Sequence, residues 1–311
     1  MKKYGFGVDI GGTSCKIGLF QTEGTVIEKW EIKTNTEEDG KAILDDVAEA
    51  LLKKMEEKGI SADEVQGIGI GVPGPVLDHG VVFHCVNLGW KNVHVSKILS
   101  EKTGIKVKVA NDANIAAFGE MWQGGGKGYK NVVMVTLGTG VGGGIIVNET
   151  ILSGTNGAGG EIGHMRVKFD EEKACNCGRT GCLEQYASAT GIVRLANQRL
   201  EKEHDHSVLD DCTDLTAKAI FDSAKEGDKL AVELVESLGE ILGNALANLS
   251  VIVDPEIFVI GGGVSKAGQM LIDVIERHYQ NSVFSGCEGT KMVLASLGND
   301  AGIYGGVKMV L

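Results

Sequence analysis

Cys175, Cys177 and Cys182 follow His164 as C-x-C-x4-C, with Glu161 and Glu184 just outside the pattern. Three thiolates and one imidazole close a tetrahedron around Zn2+, and soft sulfur selects zinc over magnesium or calcium. Four protein ligands leave no open position for an activated water. His164, Cys175, Cys177 and Cys182 are therefore expected to hold a structural metal, and the chemistry must come from elsewhere.

Two glycine turns are the other candidates. Asp9-Ile10-Gly11-Gly12-Thr13 and Gly138-Thr139-Gly140-Val141-Gly142-Gly143-Gly144 each follow an apolar run. A turn without side chains presents backbone N–H groups to phosphate oxygens at close range. A dinucleotide fingerprint needs G-x-G-x-x-G between strand and helix, and a P-loop needs G-x-x-x-x-G-K-[ST]; these turns join strand to strand and lack that lysine. Either turn alone fits an ordinary hairpin, but the matched pair favours a phosphate cradle. Asp9 is placed to hold Mg2+ through water, because magnesium takes one or two carboxylates and keeps much of its hydration. Asn111 and Asp112 stand where a strand meets a helix. There an Asp is most often an N-cap, although a carboxylate facing a cleft can also accept a hydroxyl proton.

The elements that position these groups follow from periodicity. Residues 4–10, 16–20 and 25–32 read as strands. Leu44, Ala48, Leu51, Leu52 and Met55 mark an amphipathic helix over 40–58, ended by Gly59. Strands at 67–71 and 106–110 precede a helix at 113–122. Residues 132–137 and 143–148 repeat the opening strand–turn–strand. Helices at 187–203, 214–226 and 228–250 lead to a strand at 257–260, then Gly261-Gly262-Gly263, a helix at 265–281, a strand at 291–296 and a terminal helix at 299–311. Two hairpins with glycine turns, one opening each half, predict a duplicated α/β architecture with a cleft between the copies. Residues 203–213, with His204 and His206, read as a solvated loop.

Composition is consistent with this. The 311 residues suit two domains of ordinary size, and 43% hydrophobic residues suffice for two cores. Glycine (46 residues) is about twice its usual ~7% share, and proline is scarce (3 residues). A net charge of −12 and a pI near 5.1 exclude the basic footprint of a nucleic-acid or anionic-membrane binder. Outside the cage, Cys15, Cys85, Cys212 and Cys287 show no framework spacing, which points to a reducing, cytoplasmic setting. No signal peptide and no run of ~18 apolar residues is evident.

Together, Asp9–Thr13, Gly71-Val-Pro-Gly-Pro75, Asn111-Asp112, Leu137–Gly144, Glu161-Ile-Gly-His164 and Cys175–Glu184 resemble the ROK family of repressors, open reading frames and kinases. Val86-Asn-Leu-Gly-Trp90, Gly157–Glu161 and Leu297–Ala301 extend the similarity over nearly the whole chain, and its ATP-dependent glucose-phosphorylating members are the most similar. The resemblance implies an actin-like ATPase (ribonuclease-H-like) fold of two α/β domains: a small one of residues 1–118 plus 298–311 and a large one of 119–297. Only eight residues precede Asp9, so the repressors' DNA-binding module is not expected. The resemblance implies phosphoryl transfer from ATP with Mg2+ to the sugar 6-hydroxyl, with Asp112 as general base. It further implies sugar contacts from Gly74, Asn87, Asn111, Glu161, His164 and Glu184. Phosphate contacts fall to Gly11, Gly12, Thr13, Gly138, Thr139, Gly140, Gly142 and Gly143, with Gly261, Gly262 and Gly263 near the adenosine. His164 would serve both structural zinc and sugar. A homodimer or homotetramer is implied, and neither nucleic acid nor membrane. The alternatives are a kinase for mannose, fructose, N-acetylglucosamine or N-acetylmannosamine, or a sugar sensor without turnover.

Overall fold

The computed structural model describes residues 2–202 and 205–311, and the chain divides into two compact units. One comprises Met1–Gly128, Gly144–Gly160 and Leu297–Leu311; the other comprises Tyr129–Gly143 and Glu161–Ser296. Residues 119–128 and 144–160, grouped by the family resemblance with 119–297, fall in the first of these compact units. His204 lies outside the described residues. His206 pairs with Asp210 across 3.3 Å.

In the first unit, β1 (Tyr4–Ile10), β2 (Ser14–Gln21), β3 (Val26–Lys33), β4 (Val65–Val72) and β8 (Val107–Asn111) form a sheet in the order β3-β2-β1-β4-β8. β1 and β2 are an antiparallel hairpin, whereas β4 and β8 run parallel to β1. β4 is almost wholly buried, as a strand covered on both faces requires; β3 alternates along its length, as an edge strand with one wet face does. β5 (Val76–Leu77), β6 (Val81–Cys85) and β7 (Trp90–His94) make a small antiparallel sheet after the Gly71–Pro75 segment. Helices α1 (Glu37–Gly40), α2 (Ile43–Lys58), α3 (Val95–Thr103) and α4 (Asp112–Gln123) complete the elements before Gly128. α2 buries Ile43, Leu44, Val47, Ala48, Leu51 and Met55 and ends at left-handed Gly59. Leu52, counted with the apolar face by spacing, is 41% exposed, because Val47 and Leu51 already fill that face.

The second sheet repeats the order: β11-β10-β9-β12-β13, from β9 (Val132–Leu137), β10 (Val141–Val147), β11 (Thr150–Ile151), β12 (Ile257–Gly261) and β13 (Lys291–Leu294). β9, β12 and β13 are parallel. The duplication inferred from two hairpins is thus visible as one strand order used twice. α5 (Glu184–Ala187), α6 (Ala189–Leu200), α7 (Ala217–Lys225), α8 (Lys229–Val253) and α9 (Gln269–Ser282) belong to the second unit. The helix expected over 187–203 begins at Ala189, because the Ser188 hydroxyl accepts the Gly191 N–H and caps α6 there.

The final helix, α10 (Ala301–Val310), packs on β1, β4 and α4 by direct backbone contact. A Cβ on Gly7 would lie 1.8 Å from the Ile303 carbonyl oxygen, one on Gly69 1.8 Å from that of Gly306, and one on Gly305 1.7 Å from that of Ile115. Buried Glu120 in α4 adds a polar anchor, its carboxylate accepting the Gly125 and Leu297 N–H groups at 2.8 Å each. Each carboxylate oxygen thus takes one amide, a strong way to satisfy a charge in a core.

Because backbone cannot retreat as a flexible side chain can, Gly69→Ala and Gly305→Ala should each cost at least about 3 kcal/mol or prevent folding. Gly289→Ala, where a Cβ meets nothing within 4 Å, should stay within about 0.5 kcal/mol of wild type in the same denaturant titration. Equal losses at the three positions would refute the close-packing account.

Candidate active site and metal centre

Asp9, Gly71 and Asn111 come together because β1, β4 and β8 are parallel neighbours in register. Asp9 pairs with Gly71, and Val72 with Asn111, at the carboxyl ends of the strands. Gly71 separates Asp9 from the head of α4: a Cβ there would lie 3.4 Å from Asp9 Oδ1, 3.7 Å from Asp112 Cα and 2.7 Å from the Ile115 side chain. Gly302 on α10 closes the other side, where a Cβ would come within 2.8 Å of the Asp9 carboxylate carbon. The Asp9 carboxyl therefore sits in a slot that only glycines leave open. Burial, and then the negative charge of Asp112, push its pKa up to about 6, with Lys16 pulling the other way.

The capping expectation is corrected by one residue. Asn111, not Asp112, is the N-cap of α4: its Oδ1 accepts the Ala113 and Asn114 N–H groups at 3.0 and 3.2 Å, and its Nδ2 donates to the Gly74 carbonyl at 3.3 Å. Three of the four hydrogen bonds open to this amide are thereby used. Asp112 becomes the first helical residue, exposed, with Oδ1 accepting the Ala113 N–H at 2.8 Å. Gly74 adopts φ +91°, and a Cβ there would meet the His84 carbonyl at 2.6 Å. Asn87 is exposed beside Gly12, 3.8 Å from where a Gly12 Cβ would stand. A candidate sugar contact and the first glycine turn are thus adjacent. That turn closes through a Gly11 N–H bond to the Ser14 carbonyl at 3.0 Å.

In the second unit the loop after β9 is a tight turn, with the Gly138 N–H donating to the Gly140 carbonyl at 3.0 Å. Gly142 and Gly143 lie inside β10 and not in the turn; glycines within a strand and within a loop look alike in sequence. α6 braces the turn, since the Ala189 N–H donates to Gly138 O at 2.8 Å and the Thr190 hydroxyl to Thr139 O at 2.6 Å. Gly261 ends β12 opposite Thr136, and Gly262, at φ +85°, lies against the Leu137 backbone. The second turn and the Gly261–Gly263 segment are therefore neighbours, as the sheet register dictates.

Glu161 and His164 share one 3-10 turn, joined by the His164 N–H to Glu161 carbonyl bond at 3.1 Å, and both are exposed. One ligand atom each from His164, Cys175, Cys177 and Cys182 lies within 4.8 Å of the others. Tetrahedral Zn–S bonds of 2.3 Å would separate neighbouring donors by about 3.8 Å. The Cys175 Sγ to His164 Nδ1 distance is 3.8 Å, and Cys177 Sγ to Cys182 Sγ is 3.6 Å. Donor types and spacing thus fit a structural zinc. Nδ1 is the imidazole atom facing the cluster, which leaves Nε2 for another partner. Glu184, another candidate sugar contact, lies against the cluster, its Oε1 accepting from Cys175 Sγ at 2.8 Å and its Oε2 2.6 Å from where a Gly140 Cβ would stand. Burial, and then that bond, push the Cys175 thiol up; the Arg179 backbone N–H pulls Cys177 down.

A frame that sequence reading missed holds this loop. Gln185 accepts the Cys182 N–H at 3.0 Å and donates to Lys173 O at 2.9 Å. Tyr186 donates to Glu171 at 2.6 Å, and Arg194 pairs with the same carboxylate at 3.1 Å while stacking over the Tyr186 ring. Nothing in the local spacing of Glu171, Tyr186 and Arg194 signals that they meet.

Between about pH 3.8 and 6 the native Asp9 retains a proton that the unfolded chain has released. Stability should therefore fall as pH rises through that window and stay lower above it, by at most roughly 3 kcal/mol. In thermal melts without nucleotide, Asp9→Asn should exceed wild type at about pH 8 and converge with it near pH 4. A wild-type deficit that is constant across this range would refute the assignment.

The ROK family model matches residues 5–311. A glucokinase of Halalkalibacterium halodurans is 46% identical over 306 residues, 96% of this chain and 92% of the relative. The crystal structure of a ROK hexokinase from Thermus thermophilus superposes with a TM-score of 0.82 at 30% identity, covering 98% of this chain and 97% of that one. A ROK family glucokinase from Streptomyces griseus, solved with glucose and AMPPNP, gives a TM-score of 0.75 at 33% identity, with 98% of both chains covered. The repeated 3-2-1-4-5 strand order is the actin-like ATPase fold of these sugar kinases, and with a family match over nearly its whole length this chain belongs to the ROK family.

Proposed function

We propose that this chain is a sugar kinase that transfers the γ-phosphoryl group of ATP to the 6-hydroxyl of glucose. The observation that carries the reading is the Asp9–Gly71–Asp112 arrangement at the strand ends, in a chain 46% identical to a glucokinase and similar to one solved with glucose and AMPPNP.

Asp112 accepts the 6-hydroxyl proton as that oxygen bonds to the γ-phosphorus. The bond from phosphorus to the β–γ bridging oxygen breaks, and ADP leaves. Asn111 caps α4 and so fixes the direction in which Asp112 leaves the helix; its remaining N–H is available to a sugar hydroxyl. Gly74, Asn87, Glu161, His164 and Glu184 complete the sugar contacts. Gly11, Gly12, Thr13, Gly138, Thr139, Gly140, Gly142 and Gly143 serve the phosphates, and Gly261, Gly262 and Gly263 the adenosine. Mg2+ accompanying ATP would be held by Asp9 through water and would offset charge on the transferred phosphoryl. Structural Zn2+ on His164 Nδ1 and the three cysteines would fix the imidazole plane, so that Nε2–H is aimed before sugar arrives. The same reading divides the chain functionally into 1–118 plus 298–311 and 119–297. It also carries a cytoplasmic homodimer or homotetramer, which size-exclusion chromatography with light scattering tests.

Coupled ADP-release assays across glucose, mannose, fructose, N-acetylglucosamine and N-acetylmannosamine should show glucose preference. Asp112→Asn should lower kcat about 10²–10⁴-fold with glucose binding retained; a variant within threefold of wild type would remove Asp112 from the role of base. Metal analysis should find one zinc per chain, and His164→Ala should lose zinc and raise the glucose KM together. Full zinc content with an unchanged KM would sink the dual role of His164.

A further inference from the structure

We propose that Thr34, outside every glycine loop, is a positioning residue that sets the polarity of the Gly11–Thr13 turn; this rests on reading that turn as a phosphate cradle. Thr34 follows β3 and is only 4% exposed. Its backbone N–H donates to the Thr13 carbonyl at 3.0 Å, and its hydroxyl donates to the Gly11 carbonyl at 2.7 Å. One residue thus takes a carbonyl from each end of the turn. The Cys15 sulfur lies 3.4 Å from the same hydroxyl and backs it.

A trans peptide is planar, so its C=O and the following N–H point in opposite directions. Holding the Gly11 carbonyl inward on Thr34 turns the Gly12 N–H outward, where Gly12 is exposed. A phosphate oxygen would meet that N–H. Glycine resists rotation of this peptide poorly, because it crosses φ/ψ space at little cost. Without the hydroxyl the Gly11–Gly12 peptide is free to flip, and a flipped peptide offers an anion a carbonyl oxygen in place of a donor. Thr34 touches neither substrate; it acts through the turn.

The test compares Thr34→Val, which keeps the shape and loses the donor, with Thr34→Ser, which keeps the donor. Thr34→Val should raise the KM for Mg-ATP at least tenfold while the glucose KM stays within twofold. Thr34→Ser should stay within threefold of wild type for both. If Thr34→Val is insoluble, Thr34→Ala carries the same expectation. Equal rises in both KM values, no change in either, or failure of Thr34→Ser to restore the ATP KM would each overturn the proposal. Thr13→Ala, run alongside, separates the two ideas. If it raises the ATP KM and Thr34→Val does not, the cradle reading survives and the role of Thr34 falls; if neither does, both fall.

Discussion

Backbone-to-backbone contact between α10 and the strands it covers is the constraint on which the first unit depends. Helices normally stand off a sheet by the length of their side chains. Here Gly7 and Gly69 on the sheet meet the carbonyls of Ile303 and Gly306 directly, and Gly305 and Gly119 let α10 approach α4 in the same way. That closeness brings Gly302 against the Asp9 carboxylate, and the slot it forms with Gly71 raises the pKa of a group whose ionised form needs a cation nearby. Burial costs stability at this one carboxylate once it ionises, and under the proposed function a cation arriving with the nucleotide would offset that cost.

The second unit solves a different problem. Its candidate sugar residues Glu161, His164 and Glu184 sit on a 3-10 turn and a four-residue helix between β11 and α6, outside either five-stranded sheet. Order comes from the clustered donors of His164, Cys175, Cys177 and Cys182 and from the Glu171–Tyr186–Arg194 and Gln185 bonds around them. Ser188 joins this frame to the glycine turn: it caps α6 and donates to Glu184 O at 2.6 Å, while the adjoining Ala189 and Thr190 hold Gly138 and Thr139. Glu184 is therefore fixed relative to the second glycine turn by a short stretch of chain and a few hydrogen bonds.

Much of this was legible in the sequence because the informative groups are close together along it. The cysteine spacing encodes the cluster, and the two glycine turns, each carrying a threonine, encode the duplicated hairpins that the strand orders display. What escaped was decided by backbone dihedrals or by distance along the chain. Asn111 and Asp112 both carry cap-competent oxygens, and only the extended φ/ψ of Asn111 shows which one caps. Gly142 and Gly143 sit in a glycine run but lie in β10, where the chain must be thin. Glu120 is an ordinary helical glutamate in sequence, yet it is buried on amides of Gly125 and Leu297, the latter far along the chain. Thr34 gives no signal at all, being a threonine among threonines after a strand.

The placement of α10 also sets an order of events. Synthesis runs from the N-terminus, and β1 and β4 are made early, but the helix that covers them comes from residues 301–310. The second unit needs nothing beyond Ser296 to complete its own sheet and helices. During synthesis, then, the face of the N-terminal sheet that α10 covers has no partner until residues 301–310 are made. The closing of Gly7 on Ile303 is a contact of very high sequence separation, the kind that forms slowly. The glycines that let α10 seat so closely therefore serve a contact that only the finished chain can make.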